Sequence, residues 1–290
     1  MSLKEGIIME NIALFVNRDR DADLSATKEV ISLLKKYNKT VILDVSLKDE
    51  LDLPDLYYAK GDGIFEICDA VFALGGDGTI LKIVNQAAEF DVPVAGINLG
   101  HLGFLTQAER NDLSNLVKIL DNDFSVEYRM MIDARVVSDG KVVETHSALN
   151  DIIVRGDSAK MISLTAEVDG TEASSYLADG IIVATSTGST AYSLSCGGPI
   201  VHKALDCMIV TPVCPHTMKS RCILVPPESA VVVRFDATYS DEIDLKIDGI
   251  SVRRLGDGEY IEVVRSSKRV PMINVDSRGY FDVIREKLSD

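Results

Sequence analysis

Ala70-Val71-Phe72-Ala73-Leu74-Gly75-Gly76-Asp77-Gly78-Thr79 joins five apolar residues to a glycine-rich turn that holds one carboxylate. An unbroken apolar run ended by glycine reads as a strand. Helix-like segments lie on either side of it. Downstream, Thr79 to Glu89 places Ile80, Val84 and Ala87 on one helical face. Upstream, Val30, Leu33, Leu34 and Tyr37 fall at i, i+3, i+4 and i+7 after Ser25, which is placed to cap their helix. Ile12–Val16, Thr40–Leu43 and Val92–Ile97 are further short apolar runs. Alternating strands and helices predict a parallel sheet with helices on both sides.

From about Ser125 the pattern changes. Strand-like runs are separated by Asp139-Gly140, Asp169-Gly170 and Asp248-Gly249, and Asp-Gly between such runs is a strong hairpin signal. The expected fold is a Rossmann-like α/β domain followed by a β-rich domain, a layered antiparallel sheet or sandwich. Tyr280 to Leu288 reads as a helix with Phe281, Ile284 and Leu288 at apolar spacing, and it is expected to return to the first domain. With the Asp121-Asn122-Asp123 segment as boundary, the domains are residues 9–122 plus 272–290, and 123–271.

Composition narrows the partners. A net charge of -15 argues against nucleic acid and anionic membranes, which need a basic surface. An anionic small ligand would need backbone donors, a few cations or a metal ion. No stretch has the length of a membrane-spanning helix, and Met1–Gly6 lacks a signal-peptide core. Five cysteines, an odd number with no Cys-x-x-Cys spacing, read as reduced thiols in a cytoplasmic protein. Zinc at Cys207, Cys214, His216 and Cys222 fits no usual spacing.

Two segments carry chemistry. Gly75 and Gly76 fall at the carboxyl end of a strand, where an open α/β sheet binds ligands, and their bare amides suit a phosphate. Asp77 is then out of place unless a metal intervenes or the acid removes a proton from a hydroxyl nucleophile. The plainer reading is a tight turn with Asp77 as a helix cap. The second segment runs Thr187-Gly188-Ser189-Thr190-Ala191-Tyr192-Ser193-Leu194-Ser195-Cys196-Gly197-Gly198-Pro199, after the strand-like Ile181–Ala184. Its hydroxyls and amides suit a phosphate or ribose, and its plainer reading is a capping loop. Phe104, in Gly96-Ile97-Asn98-Leu99-Gly100-His101-Leu102-Gly103-Phe104-Leu105-Thr106, is either a stacking face for a base or a core residue. His101 of that loop is a candidate phosphate contact.

Gly75-Gly76-Asp77-Gly78-Thr79 resembles the signature shared by NAD kinases, diacylglycerol-type lipid kinases and phosphofructokinases. The Gly96–Thr106 loop, the Thr187–Pro199 block, Thr211-Pro212-Val213-Cys214-Pro215-His216 and Asn150-Asp151 are similar to NAD kinases in particular. Ser186 stands where that family usually has proline, and Cys196 where alanine is common.

The resemblance implies phosphoryl transfer from ATP or polyphosphate to the 2′-hydroxyl of the adenosine ribose of NAD. Asp77 would be the general base. Gly75, Gly76, Gly78 and Thr79 would line the donor. Asn150 and Asp151 would hold ribose hydroxyls. Thr190, Ala191, Tyr192, Ser193, Leu194 and Ser195 would lie at the adenine end of NAD, with Phe104 and Leu105 bordering the pocket and Gly78 beside it. Asp179 would reach the nicotinamide part, and Ile250 would touch the ligand near the Asp248-Gly249 turn. Magnesium would arrive with the nucleotide, and the chain would assemble as a homodimer or homotetramer. A lipid or sugar kinase sharing the first motif, and a non-catalytic NAD(P)-binding sensor, are the alternatives.

Overall fold

The computed structural model describes residues 9–51, 53–100, 103–156, 161–217, 219–236, 243–275 and 279–288. The chain forms two compact units, residues 1–128 with 270–290, and residues 129–269.

In the first unit, β1 (Asn11–Val16), β2 (Thr40–Asp44), β3 (Leu56–Ala59), β4 (Ala70–Gly75) and β5 (Val94–Asn98) form a parallel sheet in the order β5-β4-β1-β2-β3. β6 (Thr106–Glu109) also pairs with β5. β4 and β5 are buried along their whole length, as apolar sequences broken only by Asn98 at the end of β5 require. From β1 the chain builds outward through β2 and β3, then crosses to β4 on the other side of β1. The carboxyl ends of β1 and β4 therefore flank a topological switch point, where open α/β sheets leave a crevice.

The helices of this unit are α1 (Ser25–Lys36), α2 (Asp77–Leu81), α3 (Val84–Glu89) and α4 (Ser114–Leu120), with α6 (Tyr280–Leu288) at its end. Four of them depart from the sequence reading. Ser25 does not cap α1. The buried Asp21 carboxylate does so, accepting from the amides of Ala26 (3.1 Å) and Thr27 (2.9 Å), while Leu24 takes a left-handed φ of 57° that a linear cap pattern does not anticipate.

Thr79 to Glu89 is two short helices rather than one. The amide of Ile83 bonds the carbonyl of Ile80 at 3.0 Å, a three-residue step that tightens the backbone. That step turns Ile83 into the core beside Ile80, Val84 and Ala87. α6 is a helix as expected, yet it buries none of its side chains, and Phe281 is 70% exposed.

The second unit is a β-sandwich. One layer contains β7 (Ser125–Ser138), β8 (Lys141–Ala148), β10 (Ile162–Val168), β11 (Thr171–Ala178), β15 (Val231–Asp236) and β18 (Tyr260–Asn274). β7 and β18 each begin or end in the first unit, and Met272 of β18 pairs with Val94 of β5 there. The other layer has the order β14-β13-β12-β9-β16-β17, where β9 is Asp151–Gly156, β12 Gly180–Thr185, β13 Met208–Val213, β14 Ile223–Val225, β16 Ile243–Ile247 and β17 Ile250–Leu255. α5 (Tyr192–Ser195) follows β12 through a turn of 3-10 helix over Thr187–Thr190.

Ile181 and Val183 of β12 face the core shared by the two layers. Ile182 and Ala184 face a second cluster with Val201, Ile209 and Val213. A strand buried on both faces has to be apolar nearly throughout, and β12 is apolar up to its last residue, Thr185, whose buried hydroxyl is hydrogen-bonded. The Asp-Gly pairs 139–140, 169–170 and 248–249 all have positive φ at both residues, the two-residue hairpin turn that Asp-Gly favours.

Candidate functional site

Gly75 ends β4 and Asp77 opens α2, with Gly76 extended between them. The local folding follows from Thr79. Its hydroxyl oxygen accepts from the amide of Gly76 and from Asn17 Nδ2, both at 3.3 Å, and so ties the turn to the end of β1. The glycine at 75 is obligatory, because an added methyl carbon would lie 2.0 Å from Thr79 Oγ1. A methyl at Gly78 would meet nothing within 4 Å, so this position opens to space.

Asp77 does not cap its own helix. Its carboxylate reaches across to the next loop, where Oδ2 accepts from the amide of Phe104 at 2.8 Å and Oδ1 from that of Leu105 at 3.1 Å. Gly103 makes room for this contact, since a methyl there would lie 2.0 Å from Oδ1. Two of roughly four lone-pair sites on the carboxylate are thereby used, and two are left for a proton or a ligand. The sequence brought Asp77 and Phe104-Leu105 to notice separately; the bond between them was not foreseen.

Leu105 is buried in the core, and only its backbone faces Asp77. The Phe104 ring carries Lys287 Nζ of α6 at 4.5 Å from its centroid, a cation–π contact. His101 lies outside the described residues.

In the second unit, Asn150 and Asp151 sit where β8 passes into β9, held from two sides. The Asp248 carboxylate accepts from the amides of Leu149 (3.0 Å), Asn150 (2.7 Å) and Asp151 (3.1 Å), and the Asp248 amide donates to the Asp151 carbonyl at 2.9 Å. On the other side Thr185 bonds the carbonyls of Asn150 through its amide (2.9 Å) and of Leu149 through its hydroxyl (2.6 Å). Thr185 Oγ1 in turn accepts from the amide of Gly188 at 3.1 Å. Gly188 packs so closely that a methyl would lie 2.0 Å from the Asn150 carbonyl oxygen.

Asp151 and Asp248 are buried carboxylates side by side. Burial, and then the charge of Asp248, pushes Asp151 up to about 7. Asp248 has three amide donors to support its charge, whereas the Asp151 carboxylate has no donor among the described residues.

The sign of the resulting pH dependence is fixed. A carboxyl raised in the folded state contributes most to stability below its unfolded value, and that contribution is lost as pH rises through about 7. Asp151→Asn is therefore expected to be more stable than the parent at pH 8 and to match it near pH 4. Urea midpoints at the two pH values check this, and an equal difference at both would remove Asp151 as the responsible group.

The 187–199 segment divides sharply by burial. Ser189 and Ser193 are wholly inside. Ser189 Oγ donates to the Ser186 carbonyl and accepts from the Val201 amide, and Ser193 Oγ pairs with Thr211 Oγ1 at 2.9 Å. Their hydroxyls hold the loop. Thr190, Ala191, Tyr192 and Leu194 are half-buried, and Ser195 is exposed. The Tyr192 hydroxyl accepts from Arg155 Nη1 at 3.2 Å, and Arg155 Nη2 lies 4.0 Å from Asp179. Ile250 is 57% exposed on the edge strand β17. The described residues contain no cluster of three or more His, Cys, Asp or Glu able to hold a metal, and no helix among them is long and apolar enough to cross a membrane.

Residues 12–125 match the ATP-NAD kinase N-terminal domain and residues 149–275 the ATP-NAD kinase C-terminal domain. The NAD kinase of Symbiobacterium thermophilum is 40% identical over 283 residues, 97% of this chain and 99% of that protein. The NAD kinase of Thermoanaerobacter pseudethanolicus is 38% identical over 286 residues, covering 97% and 100%.

Among solved structures, an NAD kinase from Archaeoglobus fulgidus in complex with ATP superposes with a TM-score of 0.73 at 28% identity, covering 96% of this chain and 98% of that one. Yeast NADH kinase complexed with NADH shares the fold, with a TM-score of 0.86 at 24% identity, covering 97% and 87%. These likenesses place the chain among the phosphotransferases that bind nucleotides. It belongs to the NAD kinase family.

Proposed function

We propose that this protein transfers the terminal phosphoryl group of ATP to the 2′-hydroxyl of the adenosine ribose of NAD, with Asp77 as general base. The observation that carries the reading is Asp77. It is a carboxylate at the carboxyl end of β4, fixed by two amides on one side and beside the open space at Gly78 on the other. A ribose hydroxyl is a poor nucleophile until its proton is taken, and general-base assistance contributes roughly 100- to 10,000-fold in rate. The rest of the barrier falls through positioning.

Gly75, Gly76, Gly78 and Thr79 line the donor in this reading. Asn150 and Asp151 take ribose hydroxyls, and Thr190, Ala191, Tyr192 and Ser195 the adenine end. Ser193, Leu105 and Leu194 act through packing, Phe104 borders the adenosine, and Asp179 and Ile250 are outlying contacts. A neutral Asp151 would donate one hydrogen bond and accept another, which suits a sugar hydroxyl.

Magnesium supplies charge neutralisation of the donor phosphates when bound. A cation carried in by the nucleotide would find the free lone pairs of Asp77 nearby. A cytoplasmic homodimer or homotetramer completes the proposal.

The test is NADP formation from NAD, magnesium and either ATP or polyphosphate, read by a strictly NADP-dependent dehydrogenase. Product with ATP is expected, and its absence with both donors from a protein that still binds NAD would favour a sensor. A second result is expected from Gly103→Ala, which forces the Asp77 carboxylate aside. A displacement of this size at a reacting group costs on the order of 100-fold in kcat. Wild-type kcat in that variant would mean that the position of Asp77 does not matter.

A further inference from the structure

Arg20 lies in the loop after β1, on the switch-point side of β4. Its guanidinium rests against two glycines of the motif loops. An added methyl carbon would lie 3.2 Å from Nη1 at Gly76 and 2.8 Å from it at Gly100. Larger residues at either position would push the cation away.

The backbone that carries Arg20 is anchored at both ends. Asn17 binds the Leu74 carbonyl through its amide (2.9 Å) and Thr79 Oγ1 through its side chain (3.3 Å), and its carbonyl accepts from the amides of Arg20 (3.1 Å) and Asp21 (3.0 Å). Asp21 is fixed by the first turn of α1. Gly100 is held by Asn98, whose Oδ1 accepts from the Gly100 amide at 3.1 Å. A long, flexible side chain is thus presented from a rigid turn into a space kept free by glycine.

Its charge has no assigned duty. Neighbouring Arg18 is engaged by Glu50 and by the Ala22 carbonyl, whereas Arg20 has no ion pair or side-chain hydrogen bond among the described residues. Arg20 is exposed, in a chain of net charge -15. An unpaired guanidinium at a switch point, beside Gly76 and Gly100, is the cation that an anionic ligand needs there.

We infer that Arg20 is a donor-binding residue whose guanidinium holds the phosphate chain of the phosphoryl donor over Gly76 and Gly100. The inference rests on the kinase reading above and adds to it the cation that the glycine motif lacks. The pyrophosphate of NAD has the same chemistry as the donor's phosphates. The choice of the donor follows from the position of Arg20 against Gly76, at the end of the strand that delivers Asp77.

The experiment compares the wild type with Arg20→Ala, Arg20→Lys and Gly100→Ala, measuring KM for ATP and for NAD, kcat, and thermal unfolding. Calorimetric titration with magnesium and inorganic tripolyphosphate is run on the same proteins. Loss of a charge-assisted contact corresponds to about 10- to 100-fold. Arg20→Ala is expected to raise KM for ATP by that factor, to leave KM for NAD within about threefold, and to weaken tripolyphosphate binding in parallel. Arg20→Lys is expected to recover part of the loss, since it keeps the charge but not the fork. Gly100→Ala is expected to fall between wild type and Arg20→Ala with unchanged unfolding.

A rise in KM for NAD alone would assign Arg20 to the acceptor and overturn the inference, as would unchanged KM values for both substrates. If the wild type forms no NADP, the kinase reading fails separately. The tripolyphosphate titration still decides Arg20: equal binding by wild type and Arg20→Ala overturns the inference.

Discussion

Asp77→Asn is expected to reduce NADP formation by roughly 100- to 10,000-fold while NAD affinity stays within a few-fold. The replacement is nearly isosteric and removes the group that can take a proton. It also disturbs one of the two amide bonds. The carboxamide oxygen can accept from Phe104 or Leu105, but its amino group then faces the other N–H. That mismatch costs about 1–2 kcal/mol in the anchoring of the loop. The two effects are separable. A weakened loop lowers the unfolding temperature and shifts substrate affinity, whereas loss of the base lowers kcat and leaves both unchanged. NAD binding and thermal unfolding by calorimetry, set beside kcat, are therefore the paired measurements. Near-wild-type turnover would end the general-base assignment, and a collapse of NAD affinity with normal kcat would make Asp77 a structural strut.

Much of this site was legible in the sequence because its strands are extreme. β4 is apolar at every position and β12 at all but its last, Thr185, and only a strand covered on both faces tolerates that. The three Asp-Gly hairpins were equally plain, because few residue pairs accept positive φ twice in succession. What could not be read was how side chains from distant segments meet. The Asp21 cap of α1 lies outside the helix it serves, so the nearer Ser25 looked like the better candidate. Phe281, Ile284 and Leu288 have the spacing of a buried face, yet spacing records only which residues share a face, and none of the three is fully buried.

The hydroxyl-rich segment shows the same limit. Ser193 and Ser195 are two residues apart and chemically identical, but one is sealed against Thr211 and the other is exposed. Arg20 escaped notice because an arginine in an acidic loop has no motif of its own. Only the closeness of its guanidinium to Gly76 and Gly100 singles it out.

Asp248 was read only as half of a hairpin turn, and its removal carries the largest expected effect on stability. In Asp248→Ala the amides of Leu149, Asn150 and Asp151 lose their acceptor together. Leaving a buried donor without a partner costs about 1–3 kcal/mol. Part of the loss is returned, because the buried Asp248 charge disappears and Asp151 ionises more easily without it. A net loss of about 3 kcal/mol is a large share of a typical stability of roughly 5–15 kcal/mol. For a chain of this size it corresponds to a fall of about 10 °C in Tm. Asp248→Asn keeps one acceptor and is expected to lose less.

The functional consequence follows from the same geometry. The segment 149–151 is held by Asp248 on one side and by Thr185 on the other, and the pocket reading places Asn150 and Asp151 on the ribose. Loosening one side should raise KM for NAD by an order of magnitude while KM for ATP stays near its original value. Calorimetric unfolding and two-substrate kinetics on Asp248→Asn check both parts. An unchanged Tm would show that the three amides find other partners, and a rise in KM for ATP alone would detach this clamp from NAD.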